Sequence, residues 1–197
     1  MRCSLKRHLE IDWDSEYMKF RNAEVKLRVQ DHAGIHERMT ELGAVGPTRL
    51  MQEDIYYQCT SGRLKLRRSE TESELIYYRR MDSAAPRISE YWRSPVGDPE
   101  QVHQILLQIH GVLGVVRKLR QLYLLGPIRI HIDEVEHLGA FLELEVALEE
   151  SGSEEEGCLM AQQLISNLGA SNAQLVPVSY VELLAAERPP TYESWEI

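Results

Sequence analysis

From residue 128 to 148 the chain reads IRIHIDEVEHLGAFLELEVAL, two runs of strict alternation around a break at 137–139, which is the pattern of a β-hairpin. Successive strand side chains point to opposite faces. Arg129, His131, Asp133, Glu143 and Glu145 therefore share one face, and Ile128, Ile130, Ile132, Leu142, Leu144, Val146 and Leu148 share the other. Three carboxylates converge on one surface. They either face water or face something positive, because like charges held together are costly.

The rest of the chain repeats this two-faced pattern. Residues 21–29, RNAEVKLRV, set Ala23, Val25, Leu27 and Val29 against Asn22, Glu24, Lys26 and Arg28. Residues 31–43 open on Asp31 as a candidate N-cap and close on Gly43, with Ile35, Met39 and Leu42 on one helical face. Strands are predicted over 49–59, 63–69, 75–81 and 86–96, with turns at Ser61-Gly62 and around 70–74. Arg63, Lys65 and Arg67 share one strand face, Arg80 lies on the face of Tyr78, and Arg87, Ser89, Tyr91 and Arg93 share another. A helix over 99–112 carries Pro99 and Glu100 in its first turn and a stripe of Val102, Ile105, Leu106, Ile109 and Val112. Residues 115–125 give a sixth strand with Lys118 and Arg120 together, and the hairpin supplies the seventh and eighth. Beyond it, 150–157 read as an acidic solvated linker, about 157–168 as an amphipathic helix and 179–187 as a short one. Residues 1–20 lack the apolar run of a secretory signal and read as an extension; 188–197 read as a loose tail.

Eight two-faced strands form either an open sheet with its charged side in water or a closed barrel. Closure removes the exposed edges of a long sheet, and eight strands enclose room for one small ligand. The predicted fold is therefore α+β: a closed eight-stranded antiparallel β-barrel with a charged lumen and helices packed outside. Its lumen would gather Lys26, Arg28, Arg63, Lys65, Arg67, Arg80, Arg93, Lys118, Arg120 and Arg129 with Glu24, Asp133, Glu143 and Glu145.

Composition narrows the guest. At 197 residues, 43% hydrophobic and 27% charged, the chain suits one sizeable domain. Its formal charge of −9 argues against a general nucleic-acid or anionic-membrane binder, and no apolar run approaches the ~18 residues of a membrane helix. Cys3, Cys59 and Cys158 are too scattered for a disulfide framework or a zinc site, which suits a reducing, cytoplasmic setting. Some ten cations in one tunnel call for a polyanion such as a chain of phosphates. The carboxylates then have a use if they hold Mg²⁺ or Mn²⁺ against the phosphate oxygens.

AEVKLRV at 23–29, GRLKLR at 62–67, ELIYYRR at 74–80, the spacing of Lys118, Arg120 and Tyr123, and the hairpin at 128–148 together resemble the CYTH superfamily, the triphosphate tunnel metalloenzymes. The likeness spans about 21–186, within a domain expected over 21–187. It implies an eight-stranded tunnel acting on a small-molecule triphosphate with a divalent metal. It also implies that Glu24, Glu143 and Glu145 ligate Mg²⁺ or Mn²⁺, with Asp133 close to a second ion. Lys26, Lys65, Arg67, Arg80, Lys118 and Arg120 would grip phosphate oxygens, Lys26, Arg67 and Arg120 being the expected catalytic groups, with Arg63, Arg93 and Arg129 as lumen neighbours. The family signature opens Glu-x-Glu-x-Lys. Here its first glutamate is Asn22, an amide that coordinates without charge and so weakens or reduces the metals expected. His131 and His137 read as packing or surface residues. Three activities fit the resemblance: a triphosphatase using water, a class IV-type adenylyl cyclase, and a non-catalytic polyphosphate-binding module.

Overall fold

In the computed structural model, which describes residues 19–30, 32–83, 85–149 and 151–187, the alternating strands curl until the first meets the fifth. The strands are β1 (Phe20–Arg28), β2 (Val45–Tyr57), β3 (Arg63–Ser69), β4 (Ser73–Arg80), β5 (Arg87–Pro95), β6 (Val112–Leu125), β7 (Ile128–Val135) and β8 (Gly139–Leu148). They run in the order β5-β4-β3-β2-β6-β7-β8-β1, and pairing of β1 with β5 closes the ring. Every pairing is antiparallel, so the predicted closed eight-stranded barrel is the fold. A two-residue β9 (Gln174–Leu175) takes the edge of β1 beyond its contact with β5; it is too short to leave a sequence pattern.

Polarity is inverted, as the alternation predicts. The main apolar core lies outside the barrel, where Ala23, Val25 and Leu27 of β1, Ile130 and Ile132 of β7, and Leu142, Leu144 and Val146 of β8 are all essentially buried. They are covered by Ile35 and Met39 of α1 (Ala33–Glu41) and by Ala161, Leu164 and Ile165 of α3 (Glu154–Asn167). A smaller cluster sets Ile55, Tyr57 and Leu66 beneath Val102 and Leu106 of α2 (Pro99–His110). Gly62, in the turn between β2 and β3, has φ +66°, and a Cβ there would meet the Tyr78 carbonyl oxygen at 2.7 Å. That turn needs glycine.

Several element boundaries differ from the sequence pattern. The acidic stretch read as a linker contains the first turn of α3, whose N-cap Ser153 accepts a hydrogen bond from the Glu156 amide. Glu154, Glu155 and Glu156 suit the positive end of a helix dipole. α2 ends at His110, and Val112 opens β6 rather than closing the helical stripe. β2 starts at Val45, earlier than its alternation suggests. α1 has no side-chain cap at His32; the expected cap, Asp31, lies outside the described residues, as do most of the extension and the whole C-terminal tail.

One end of the barrel is shut. There α4 (Tyr180–Glu187) packs Tyr180 and Val181 with Tyr56, Val116, Val135 and Phe141 into a buried cluster. Gly114 makes room for it, since a Cβ there would meet Val181 at 2.7 Å. Ser179 and Tyr180 also line the lumen at that end.

Candidate functional site: a charged blind tunnel

The lumen holds a cavity of about 230 Å³ walled by all eight strands and by Ser179 and Tyr180 at its closed end. Strand register sets its charges in rows. Lys26 stands opposite Glu143 and Glu24 opposite Glu145 across the β1–β8 pair, Arg120 opposite Asp133 across β6–β7, and Arg67 opposite Asp54 across β2–β3. The Lys26–Glu143, Arg120–Asp133 and Arg67–Asp54 neighbours are of opposite sign and steady one another, whereas Glu24 and Glu145 are like charges, each offset by its own arginine, Arg80 and Arg129.

Two carboxylates act as anchors for the arginines. Asp54, 1% exposed, accepts from Arg67 Nε (2.7 Å) and Nη2 (2.9 Å) and from Lys65 Nζ (3.0 Å). Asp133, 0% exposed, accepts from Arg120 Nε (2.7 Å) and Nη2 (2.6 Å) and from the Tyr180 hydroxyl (3.0 Å), with Lys118 at 3.5 Å. Burial alone would raise the Asp54 carboxyl, but Arg67, Lys65 and Lys118 outweigh it and hold it well below the usual range. Arg67 and Arg120 are each gripped through Nε and Nη2, which fixes the guanidinium plane and leaves Nη1 for a ligand.

The lysines are less comfortable. Burial, reinforced by Arg67, pulls Lys65 down to about 7. Burial pulls Lys26 down to about 8 against the attraction of Glu143, and Lys118 is lowered by burial and Arg120. Unpartnered buried donors point the same way: Arg80 Nε and both Nε and Nη2 of Arg87 have no hydrogen-bond partner. Arg80 lines the cavity, whereas Arg87 is not among its lining residues and lies 3.5 Å from Glu24.

A different set of groups lies on the β7–β8 wall. His131, Glu143 and Glu145 place one ligand atom each within 4.8 Å of one another. Arg120 Nη2 donates to Glu143 Oε2 (2.7 Å), while Arg129 and Asn22 donate to Glu145 Oε2. Burial, and next to it Arg120, lowers the His131 imidazole, so it is neutral and able to ligate. An imidazole and two carboxylates are a donor set for a divalent cation.

The thirteen residues singled out in the sequence divide as follows. Lys26, Lys65, Arg67, Arg80, Lys118, Arg120, Arg129, Glu24, Glu143 and Glu145 line the cavity, and Arg93 lines its rim half exposed, 3.5 Å from Glu74. Asp133 lies behind the wall, clamped by Arg120. Glu24 is hydrogen-bonded by Arg80 and lies 3.5 Å from Arg87; with Asp133 it stands outside the His131 group. Arg63 points to the closed end, donating to Asp82 and Glu182. Asp54, Arg87, His131 and Tyr180 are site residues that the sequence reading did not select. Arg87 falls on the face of Ser89 and Tyr91, so alternation carried its signal; Asp54 lies beside Glu53 and ahead of an apolar run that blurs the alternation, and Tyr180 comes from a helix, so neither had a clear one.

The eight strands thus form a closed antiparallel barrel with cations and carboxylates turned inward around one cavity. The chain belongs to the CYTH domain family, whose pattern it matches over residues 21–180. It is 26% identical over 169 residues to a Methanocaldococcus jannaschii protein provisionally named an adenylate cyclase, covering 81% of this chain and 96% of that one. A Pyrococcus horikoshii OT3 protein superposes with a TM-score of 0.74 at 28% identity, over 82% of this chain and 98% of its own. A Hippeastrum adenylyl cyclase homologue, described as having dominant triphosphatase activity, shares the fold at a TM-score of 0.60 and 15% identity, over 87% and 99% of the two chains.

Proposed function

We propose that the tunnel binds a triphosphate together with Mg²⁺ or Mn²⁺ and transfers its terminal phosphoryl group to water. One observation carries this reading: six buried or half-buried cations from four strands, Lys26, Lys65, Arg67, Arg80, Lys118 and Arg120, face one cavity whose adjoining wall is His131, Glu143 and Glu145. At about 230 Å³ the cavity falls below the ~300 Å³ at which pockets begin to enclose drug-sized organic ligands. A phosphate chain fits inside, with any organic substituent left at the mouth near Leu50, Tyr91 and Leu122.

The chain's own residues position and neutralise. Lys26 and Lys118 at the closed end, with Arg67 and Arg120 braced by Asp54 and Asp133, hold the phosphate oxygens in a fixed array, which lowers the barrier by preorganisation. Glu143, Glu145 and His131 would hold the divalent cation. When bound, that ion supplies charge neutralisation at the phosphate oxygens and acidifies water. The new bond joins water oxygen to the terminal phosphorus, the bridging P–O bond breaks, and no side-chain nucleophile is needed. The working unit is residues 21–187. A cytoplasmic setting belongs to the same reading, supported by free Cys59 and Cys158 and by the lack, among the described residues, of any helix long and apolar enough to cross a membrane.

The purified protein, incubated with inorganic triphosphate, thiamine triphosphate or ATP and either metal, is expected to release phosphate. Glu145→Gln should cut that rate at least about 100-fold. Cyclic AMP and pyrophosphate from ATP would replace this reading with the cyclase one, which the name of the M. jannaschii relative favours. Binding without turnover would make the tunnel a polyphosphate-binding module.

A further inference from the structure

We infer that His131 is a nitrogen ligand of the tunnel's cation and makes this a Mn²⁺ site rather than a Mg²⁺ site. The inference deepens the proposed function and rests on its reading that a divalent cation sits on the β7–β8 wall.

His131 is 4% exposed and stands directly across from Glu143 in the β7–β8 pair. Its Nδ1 is buried without a hydrogen-bond partner. It lies 3.8 Å from Glu143 Oε2 and 3.7 Å from Glu145 Oε1, beyond hydrogen-bond length for both. Buried polar atoms are otherwise nearly always paired, so an orphaned nitrogen between two carboxylates needs a third party. The neighbours prepare that place. Arg129 and Asn22 both engage Glu145 through Oε2, so Oε1 is the oxygen turned to the imidazole. Asn22 Oδ1 is also buried and unpartnered, a further neutral oxygen beside the cluster. One ligand atom from each of the three residues already lies within 4.8 Å of the others. Atoms bound to one ion at roughly 2.1 Å lie up to about 4.2 Å apart, so small side-chain shifts close the shell.

The donor set decides the metal. Carboxylates with phosphate and water oxygens suit Mg²⁺ and Mn²⁺ alike, whereas imidazole nitrogen suits transition ions, and Mg²⁺ keeps an oxygen shell. Mn²⁺ meets both halves of the site. The charge lost where a glutamate is replaced by Asn22 works in the same direction, because a less anionic shell holds a hard ion less firmly.

The test is calorimetric titration of the substrate-free protein with MnCl₂ and with MgCl₂, joined to pulsed electron paramagnetic resonance of the bound Mn²⁺. Wild type is expected to bind Mn²⁺ at least about tenfold tighter than Mg²⁺ and to show coupling to a directly bonded nitrogen. In His131→Asn, which offers an oxygen in place of Nδ1, that coupling should vanish and the preference should fall below about threefold. Glu145→Gln should weaken both ions, which locates the binding in the tunnel. Equal wild-type affinities, or a nitrogen signal and preference that survive in His131→Asn, would overturn the inference. Should His131→Asn not fold, the wild-type ratio and nitrogen coupling decide alone. A protein that binds both ions equally yet splits triphosphate sinks only this inference; one that binds neither ion in the tunnel sinks the proposed function as well.

Discussion

Lys65 is held in a place that penalises its charge. Burial and the neighbouring Arg67 bring it down from 10.5 to about 7, with Asp54 pulling the other way. Between those two pH values the unfolded chain binds the proton that the folded chain has released, so stability rises with pH across that window. Below about 7 the full cost of the buried ammonium is present. Lys26, lowered from 10.5 to about 8, adds a similar slope a little higher. Lys65→Met is therefore expected to stabilise the ligand-free protein at pH 7 by about 1 kcal/mol, roughly 2–4 °C in Tm, because Arg67 still satisfies Asp54. The same change should weaken triphosphate binding. Denaturant titrations at pH 6.5 and 9.5 would show wild type gaining more stability than the variant, the remaining slope belonging to Lys26 and Lys118. A variant less stable than wild type at pH 7 would mean that Lys65 supports the fold instead of serving a ligand.

At the scale of elements, the hairpin of β7 and β8 was legible because its alternation is unbroken, and its register delivered Glu143, Glu145 and Arg129 to one face. β2 was harder. Ile55, Tyr56 and Tyr57 form an apolar run that masks the period of two, and Asp54 lies beside Glu53, so the sequence could not say which acid faces inward. Only pairing with β3, which sets Asp54 against Arg67, separates them. His131 was legible as lumen-facing, but the sequence could not show its Nδ1 buried between the carboxylates of Glu143 and Glu145. α3 was misplaced at its start because acidic residues read equally as solvated loop and as a helix N-terminus. The structure makes Ser153 its cap, and α3 covers the main core. Ser153→Ala should cost about 1 kcal/mol, or roughly 2–4 °C in Tm, by calorimetry, with no change in affinity for phosphate. A loss of affinity alongside stability would show that α3 shapes the lumen as well as roofing the core.

For the molecule as a whole, the inverted polarity sets sites against stability. Among the described residues, Lys26, Lys65, Arg67, Arg80, Arg87, Arg93, Lys118, Arg120 and Arg129 face or back the lumen against Glu24, Asp54, Glu72, Glu74, Asp133, Glu143 and Glu145, nine cations to seven carboxylates. The tunnel is thus formally positive by two within a chain of formal charge −9. A low-dielectric wall amplifies that excess, and the empty barrel carries it as self-repulsion. A triphosphate with one divalent ion brings a comparable negative charge, so ligand and fold should be strongly linked. Ligand at 100 times its Kd adds about 2.7 kcal/mol, so Tm should rise by roughly 5–10 °C with Mn²⁺ and inorganic triphosphate together. Chelating the metal should reduce the shift, and because the binding is electrostatic, raising salt from 0.05 to 0.5 M should weaken the affinity at the exposed mouth more than at the buried end. Arg120→Met removes the cation that bridges Asp133 and Glu143 and should abolish the ligand-induced rise. If triphosphate and metal leave the Tm of the wild-type protein unmoved, the inward charges do not serve an anion, and the barrel owes them another explanation.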